Sequence, residues 1–333
     1  MRAIGLLGSP RKKGNTDQLL SLFMDRLAGL GMETQTIDVC RRHIEPCKEL
    51  TVCETKGTCP IDDDMHKEIY GLLRDADLVI LASPVFFYGV SAQLKALIDR
   101  CQTLWARKHL LKLNDSRHNL RRGFLLSVGA TGGKQLFDGI HLTAKYFFDA
   151  VAARYAGSLT YRHIEKRGQI MELPSLAEDV AAAADQLADG LAGRPKVIFA
   201  CRENAGRSRM AAAFARIHAG DRLDVISAGS APAAAVNPVM VAAMAEKGID
   251  MGFSTPRLLD GALDGSPPAA LVTMGCGEAC PHLPGTLRLD WDLPDPAGKE
   301  IDFVRQVRDT IEEKVIDFLN QHPDLPPKQT GEL

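Results

Sequence analysis

Near-continuous apolar runs alternate with polar loops and helix-like stretches along this chain. Residues 2–7, 77–82, 123–128, 196–200 and 270–273 are short and almost wholly apolar. That is the pattern of strands covered on both faces of a parallel sheet. Each of the first four ends in a polar or glycine-bearing loop. Residues 17–30, 176–191 and 210–217 read as helices, the second one rich in alanine. Strands that alternate with helices predict an α/β chain built from two doubly wound parallel sheets. A length of 333 residues suggests two domains. The pattern places them at 1–192 and 195–322, with a very short linker between and a frayed, proline-bearing tail at 323–333.

The most informative loop follows the run 196–200. It reads Cys201-Arg-Glu-Asn-Ala-Gly-Arg207-Ser208 and opens onto the helical run at 210–217. A strand, a tight loop and a helix N-terminus together present backbone N–H groups and a positive dipole end to a tetrahedral oxyanion. Arg207 adds a planar fork of donors matched to two of its oxygens. The same positive field favours the thiolate of Cys201, and Ser208 can donate to the sulfur. Nucleophile and electrophile would meet in one cradle.

Further matches follow downstream: Ser227-Ala-Gly-Ser230, Asn237-Pro238, Glu246-Lys-Gly-Ile-Asp250, Val272-Thr-Met-Gly-Cys-Gly-Glu-Ala-Cys-Pro281 and Asp290-Trp-Asp-Leu-Pro-Asp-Pro-Ala-Gly298. From residue 195 to about 322 the chain resembles the low-molecular-weight tyrosine phosphatase fold, and within it the arsenate reductases. The resemblance implies Cys201 as nucleophile, Arg207 as oxyanion clamp, Asn204 as a brace for the loop and Ser208 as support for the thiolate. Asp295 matches the general acid that protonates the departing oxygen, with Asp292 as the competing carboxylate. Cys276 and Cys280 separate the two activities. A phosphatase needs one cysteine because water resolves its intermediate, whereas a reductase takes two electrons from thiols. The pair implies a resolving relay that ends as a disulfide, with thioredoxin or a low-molecular-weight thiol as the reductant.

The first half carries its own loops. Gly8-Ser-Pro-Arg-Lys-Lys-Gly-Asn-Thr16 follows the first strand and precedes a helix, the arrangement of a phosphate cradle. Ser83-Pro-Val-Phe-Phe-Tyr-Gly-Val90 is apolar and aromatic, which suits a flat ring system. Gly129-Ala-Thr-Gly-Gly133 exposes backbone N–H groups at a third strand end. Over residues 1 to roughly 150 this wording resembles the NADPH-dependent FMN reductases and iron–sulfur flavoproteins, whose fold is flavodoxin-like. The resemblance implies FMN, with NADPH or NADH as the electron donor. Ser9, Arg11, Asn15 and Thr16 would hold its phosphate, and Pro84, Val85, Phe86, Phe87, Tyr88 and Gly89 would lie beside its ring. Gly129, Ala130, Thr131 and Gly132 would reach the ring's polar edge. Iron–sulfur flavoproteins carry four cysteines in one segment. Here Cys47, Cys53 and Cys59 are present, Leu50 takes the remaining place, and Cys40 lies seven residues before Cys47. Four thiolates are the normal requirement of a cubane, so no cluster is expected. His43 and His66 fit no zinc spacing, and no metal site is expected.

Composition narrows the picture. A net charge of −2 gives no support to nucleic-acid or membrane binding. The basic residues 11–13 suit cofactor phosphates, and the basic run at 117–122 reads as a solvated loop. Eight cysteines without a recognisable leader point to redox chemistry in the cytoplasm. The sequence thus reads as an arsenate reductase fused to an NAD(P)H-dependent flavoprotein, expected to pair as a homodimer. A phosphatase beside an independent FMN or quinone reductase, and an oxyanion-responsive redox sensor without turnover, remain as alternatives.

Overall fold

The computed structural model describes residues 1–275, 281, 283–323 and 325, so Cys276, Cys280 and most of the expected tail lie outside the described residues. The chain divides into two compact units, Met1–Lys112 with His118–Ala192, and Leu113–Arg117 with Gly193–Leu333.

In the first unit the strands are β1 (Arg2–Leu7), β2 (Glu33–Asp38), β3 (Leu78–Pro84), β5 (Arg122–Val128) and β6 (Arg154–Tyr161). They form a parallel sheet in the order β2-β1-β3-β5-β6, a doubly wound arrangement. Helix α1 (Asn15–Gly29) buries Leu19, Leu20, Phe23, Met24 and Leu27, spaced three and four apart, as one helical face requires. That face packs with Ile80 and Leu126 of the sheet and with Val180, Ala184 and Leu187 of helix α7 (Leu176–Ala188). Four short helices, α2 (Val52–Lys56), α3 (Tyr70–Asp75), α4 (Ala92–Arg100) and α5 (Gln102–His109), and the longer α6 (Asp138–Ala150) complete the unit.

The basic run at 117–122 departs from expectation at its end. Arg121 is fully buried and donates to the carbonyls of Ala76, Arg74 and Val151. Arg122 donates to the carbonyls of Leu187 and Asp189. A guanidinium with five donors can satisfy several orphan carbonyls at once, which composition alone does not reveal.

In the second unit β7 (Lys196–Cys201), β8 (Asp224–Gly229), β10 (Ala270–Met274) and β11 (Leu287–Asp290) form a parallel sheet in the order β11-β10-β7-β8. Helix α8 (Arg207–Ala219) buries every residue from Arg207 to Ala215. Its alanines at 211–213 and 215 let neighbours approach closely. Among these is α11 (Ile301–Gln321), which supplies Val304, Val307, Ile311, Val315 and Phe318 to the core. Helices α9 (Pro238–Ala245) and α10 (Leu259–Leu263) flank this sheet. A small extra ladder pairs β4 (Asn114–Asp115) with β9 (Ile249–Asp250), so residues from the first half by sequence belong to the second unit.

Candidate functional site

Cys201 is the last residue of β7 and Arg207 the first of α8, so the loop between them joins a strand end directly to a helix N-terminus. Every carbonyl from Cys201 to Gly206 is bound from outside the cradle. Those of Cys201, Arg202, Glu203 and Ala205 accept the N–H groups of Ser230, Ala231, Ala233 and Asn237, at 2.8–3.2 Å. The Asn204 carbonyl accepts Arg209 Nε at 3.0 Å, and that of Gly206 accepts the Arg209 and Met210 N–H groups. With the carbonyls spent, the N–H groups of Arg202, Glu203, Ala205, Gly206, Arg207 and Ser208 donate to nothing among the described residues. Unspent donors at a helix N-terminus form an anion site.

Cys201 is 3% exposed. Its sulfur accepts the Asn204 N–H at 3.2 Å and lies 3.0 Å from Ser208 Oγ. Ser208 Oγ also accepts Asn204 Nδ2 at 2.9 Å, so the hydroxyl bridges the Asn204 amide and the sulfur. Asn204 is fully buried in a left-handed conformation (φ 49°), which asparagine tolerates better than most residues. Its Oδ1 accepts the Arg257 N–H at 2.8 Å, so both ends of its amide brace the loop.

Arg207 donates to the Leu293 carbonyl at 3.0 Å and to Asp295 Oδ2 at 3.1 Å. The other Asp295 oxygen accepts the Ala297 N–H. Asp295 is therefore the carboxylate brought to the cradle; Asp292 is exposed and makes no bond among the described residues. The segments that bond to the loop or to Arg207, residues 230–237 and 293–297, contain no aromatic residue. Ser230 and Asn237 belong to stretches already matched to the family, but residues 231–236 between them, alanine, proline and valine, carry no chemical signal in the sequence.

In the first unit the loops after β1, β3 and β5 share the carboxyl edge of adjacent parallel strands, where open α/β sheets hold ligands. Ser9 and Thr16 are buried, and neither hydroxyl has a partner among the described residues. The N–H groups of Arg11, Lys12, Asn15 and Thr16 are likewise unspent. Asn15 behaves differently from expectation: its Nδ2 donates to the Lys166 carbonyl and its Oδ1 accepts the Ile170 N–H. Its side chain thus holds the segment after β6, leaving its backbone N–H for an anion. Arg167 ties the same segment to the loop through the carbonyls of Lys12 and Lys13. These bracing residues lie some 150 positions from the loop and escaped the sequence reading.

After β3, Pro84 and Val85 lead into a tight turn in which Phe86 and Gly89 exchange both backbone bonds at 2.9 Å. Phe87 and Tyr88 occupy its centre in left-handed conformations and are exposed. The left-handed region is costly for bulky side chains, and such strain gathers at functional sites. Tyr88 lies beside Gly133 of the third loop. There the N–H groups of Ala130, Thr131 and Gly132 are unspent, while Gly129 is tied to Tyr161 and Ile164. These donors and exposed rings fit a phosphorylated, flat cofactor.

Comparison with known proteins agrees with both halves. Residues 1–157 match the model of the NADPH-dependent FMN reductase family, and residues 196–274 that of the low molecular weight phosphotyrosine protein phosphatase family. An iron–sulfur flavoprotein of Methanosarcina thermophila is 36% identical over 42% of this chain and 71% of its own. A putative arsenate reductase of Halobacterium salinarum is 36% identical over 38% of this chain and 92% of its own. Among solved structures, a thioredoxin-dependent arsenate reductase of Corynebacterium glutamicum is 29% identical, over 45% of this chain and 76% of that one, with a TM-score of 0.34. The chain spans about half the length of two other iron–sulfur flavoproteins it matches.

Proposed function

The chain belongs in its first half to the NADPH-dependent FMN reductase family and in its second to the low molecular weight phosphotyrosine protein phosphatase family; from that premise we propose that it reduces arsenate to arsenite at Cys201, with NAD(P)H and FMN as an attached electron source. The observation that carries the reading is the convergence of a sulfur, an empty ring of N–H donors, Arg207 and Asp295.

The chemistry follows from these residues. The loop N–H groups and Arg207 bind the oxyanion and neutralise charge developing on it. An arriving anion takes over the Arg207 donors and lies beside the Asp295 carboxyl, the group placed to give up a proton. Cys201 sulfur then attacks arsenic, the arsenic–oxygen bond breaks, and Asp295 gives its proton to the departing water. A second thiol attacks the Cys201 sulfur, forming a disulfide and leaving the electron pair on arsenic, which departs as arsenite. In balance, arsenic acid and two thiols give arsenous acid, one disulfide and one water. Cys276 or a small-molecule thiol supplies that second sulfur, and Cys280 closes the disulfide when the relay is internal; thioredoxin or a low-molecular-weight thiol restores it otherwise.

Ser9, Arg11, Thr16 and the backbone of Asn15 would hold the FMN phosphate. The turn at 84–89 would border the ring and the 129–132 loop its polar edge. When bound, FMN supplies hydride acceptance from NAD(P)H and electron delivery onward. A cubane cluster, as in the name of the iron–sulfur relatives, does not fit: Cys47, Cys53 and Cys59 supply three thiols, exposed Leu50 stands where a fourth would be, and no step is routed through a cluster.

The deciding experiment incubates the full, FMN-loaded chain with arsenate and NADPH, without added thiol. Matched NADPH loss and arsenite formation, abolished by Cys201→Ser, is the expected result. Arsenite formed only after a thiol is added would detach the flavin from the reaction. Hydrolysis of an aryl phosphate with no arsenite would replace the reading by a phosphatase.

A further inference from the structure

Helix α8 breaks a local preference at its start. Cations are disfavoured in the first turn of a helix, where the dipole is positive and acidic side chains usually stand. The first turn of α8 holds Arg207 and Arg209 and no acidic residue. Arg207 is explained by the anion cradle, whose clamp it forms. Arg209 has had no such account. It is a cation buried to 8% exposure, and its Nε donates at 3.0 Å to the Asn204 carbonyl, on the outer side of the loop. Departures from local preference are expected to gather at functional sites.

Asn204 is the residue on which the loop turns. Its N–H donates to the Cys201 sulfur, its Nδ2 donates to Ser208 Oγ, and its backbone is left-handed. Its carbonyl belongs to the same planar peptide as the Ala205 N–H, one of the unspent donors. In a trans peptide the two groups point in opposite directions, so whatever holds the carbonyl outward aims the N–H inward. The carbonyls of Cys201, Arg202, Glu203, Ala205 and Gly206 accept main-chain N–H groups, whereas that of Asn204 accepts a guanidinium. A hydrogen bond from an ionised donor is roughly twice as strong as a neutral one. It also polarises the peptide between, which strengthens the N–H on the far side as a donor. Turning this peptide over would withdraw that donor and present a carbonyl oxygen to the anion.

We propose that Arg209 is a positioning residue of the oxyanion site. It locks the Asn204–Ala205 peptide with its N–H toward the anion, and it holds Asn204 against the sulfur. Both effects pass through Asn204. The inference rests on the reading of the loop as an oxyanion cradle around a thiolate, and it applies to a reductase and a phosphatase alike.

The test compares the unmodified full chain with Arg209→Met, which keeps the apolar stem, and Arg209→Lys, which keeps the charge. Two quantities are read: affinity for inorganic phosphate, and the pH profile of Cys201 alkylation by iodoacetamide, followed by mass spectrometry of its peptide. Arg209→Met is expected to weaken phosphate binding by about 10–10²-fold, the usual worth of a hydrogen bond to a charged group. The alkylation midpoint should rise by about one pH unit as the thiolate loses the support of Asn204. Arg209→Lys should recover part of both. A merely structural arginine would lower the melting temperature of the second unit and leave both quantities unchanged in the folded protein, which would overturn the proposal. In the unmodified chain, where no variant has to fold, phosphate should move the Arg209 Nε–H proton resonance; a resonance that stays fixed would overturn it as well. An unmodified chain that binds no phosphate would defeat the cradle, and with it both this inference and the proposed function. Equal phosphate affinity with and without the Arg209 side chain would defeat this inference alone.

Discussion

Gly229, where β8 ends, lies against the oxyanion loop, and the loop's shape depends on its missing side chain. A Cβ there would stand 2.6 Å from the Arg202 carbonyl oxygen and 2.8 Å from the Asn204 nitrogen, both backbone atoms. A Cβ on Gly206 would overlap Met240 Sδ, but that thioether ends a flexible side chain and can move. Overpacking costs about 1–3 kcal/mol. Gly229→Ala should therefore displace the donors and weaken phosphate or arsenate binding by about tenfold or more, where Gly206→Ala weakens it less. Inhibition constants for inorganic phosphate would measure both, and equal effects would sink the distinction. Asp295 poses a different question, because it pairs with Arg207 and is also the assigned acid. Asp295→Asn should lower turnover by about 10²–10⁴-fold, the usual worth of a positioned acid. It should also leave anion affinity equal or tighter, because Arg207 is released. A loss of affinity with turnover intact would assign Asp295 to positioning alone.

Two charge networks hold elements together, and burial separates their worth. Arg100, at the end of α4, pairs with Asp63 at side-chain exposures of 1% and 0%. Between α9 and α11, Arg305 pairs with Glu246 at 41% and 39%. Removing one partner of a buried pair leaves an uncompensated charge and costs about 3–5 kcal/mol, whereas an exposed pair is worth about 0–1 kcal/mol. Asp63→Ala should thus destabilise the first unit by several-fold more than Arg305→Ala destabilises the second, as read by denaturant unfolding. Burial alone would raise the Asp63 carboxyl, but the bonds from Arg100 and the Glu45 N–H outweigh it and hold the group below the ordinary aspartate range. A depressed carboxyl contributes stability above its unfolded value, near about 3.9, and loses it as pH falls through the lower native value. Stability of the unmodified chain should therefore fall more steeply below about pH 4 than that of Asp63→Ala. Parallel acid profiles would remove Asp63 from the account. None of this was legible beforehand, since Asp63 and Arg100 are ordinary surface types joined only by the folded chain.

At the scale of the whole molecule, what the sequence disclosed was local. The strand, loop and helix around Cys201 are contiguous, so period and spacing were enough to bring Cys201, Arg207 and Ser208 together on paper. The braces at 230–237 and 162–170 are remote and chemically plain, and their role exists only through backbone bonds. The boundary between halves was similarly hidden. Two residues, Asn114 and Asp115, have no periodicity to read, yet they pair with Ile249 and Asp250 and lie in the second unit. The Asn114 N–H also donates to the Gly248 carbonyl at 2.7 Å. A fragment beginning at residue 193 consequently lacks one strand of its own unit and leaves the edge of β9 unpaired. At about 0.5–1.5 kcal/mol for each hydrogen bond lost, it should unfold several degrees below the corresponding transition of the full chain. Calorimetry of the two proteins makes the comparison, with inorganic phosphate added to mark the transition that carries the oxyanion loop. Coincident midpoints would mean that the short ladder contributes nothing and that a cut at the linker separates the units cleanly. A lower midpoint for the fragment would mean that the second unit is completed by chain lying some 80 residues before its main body begins.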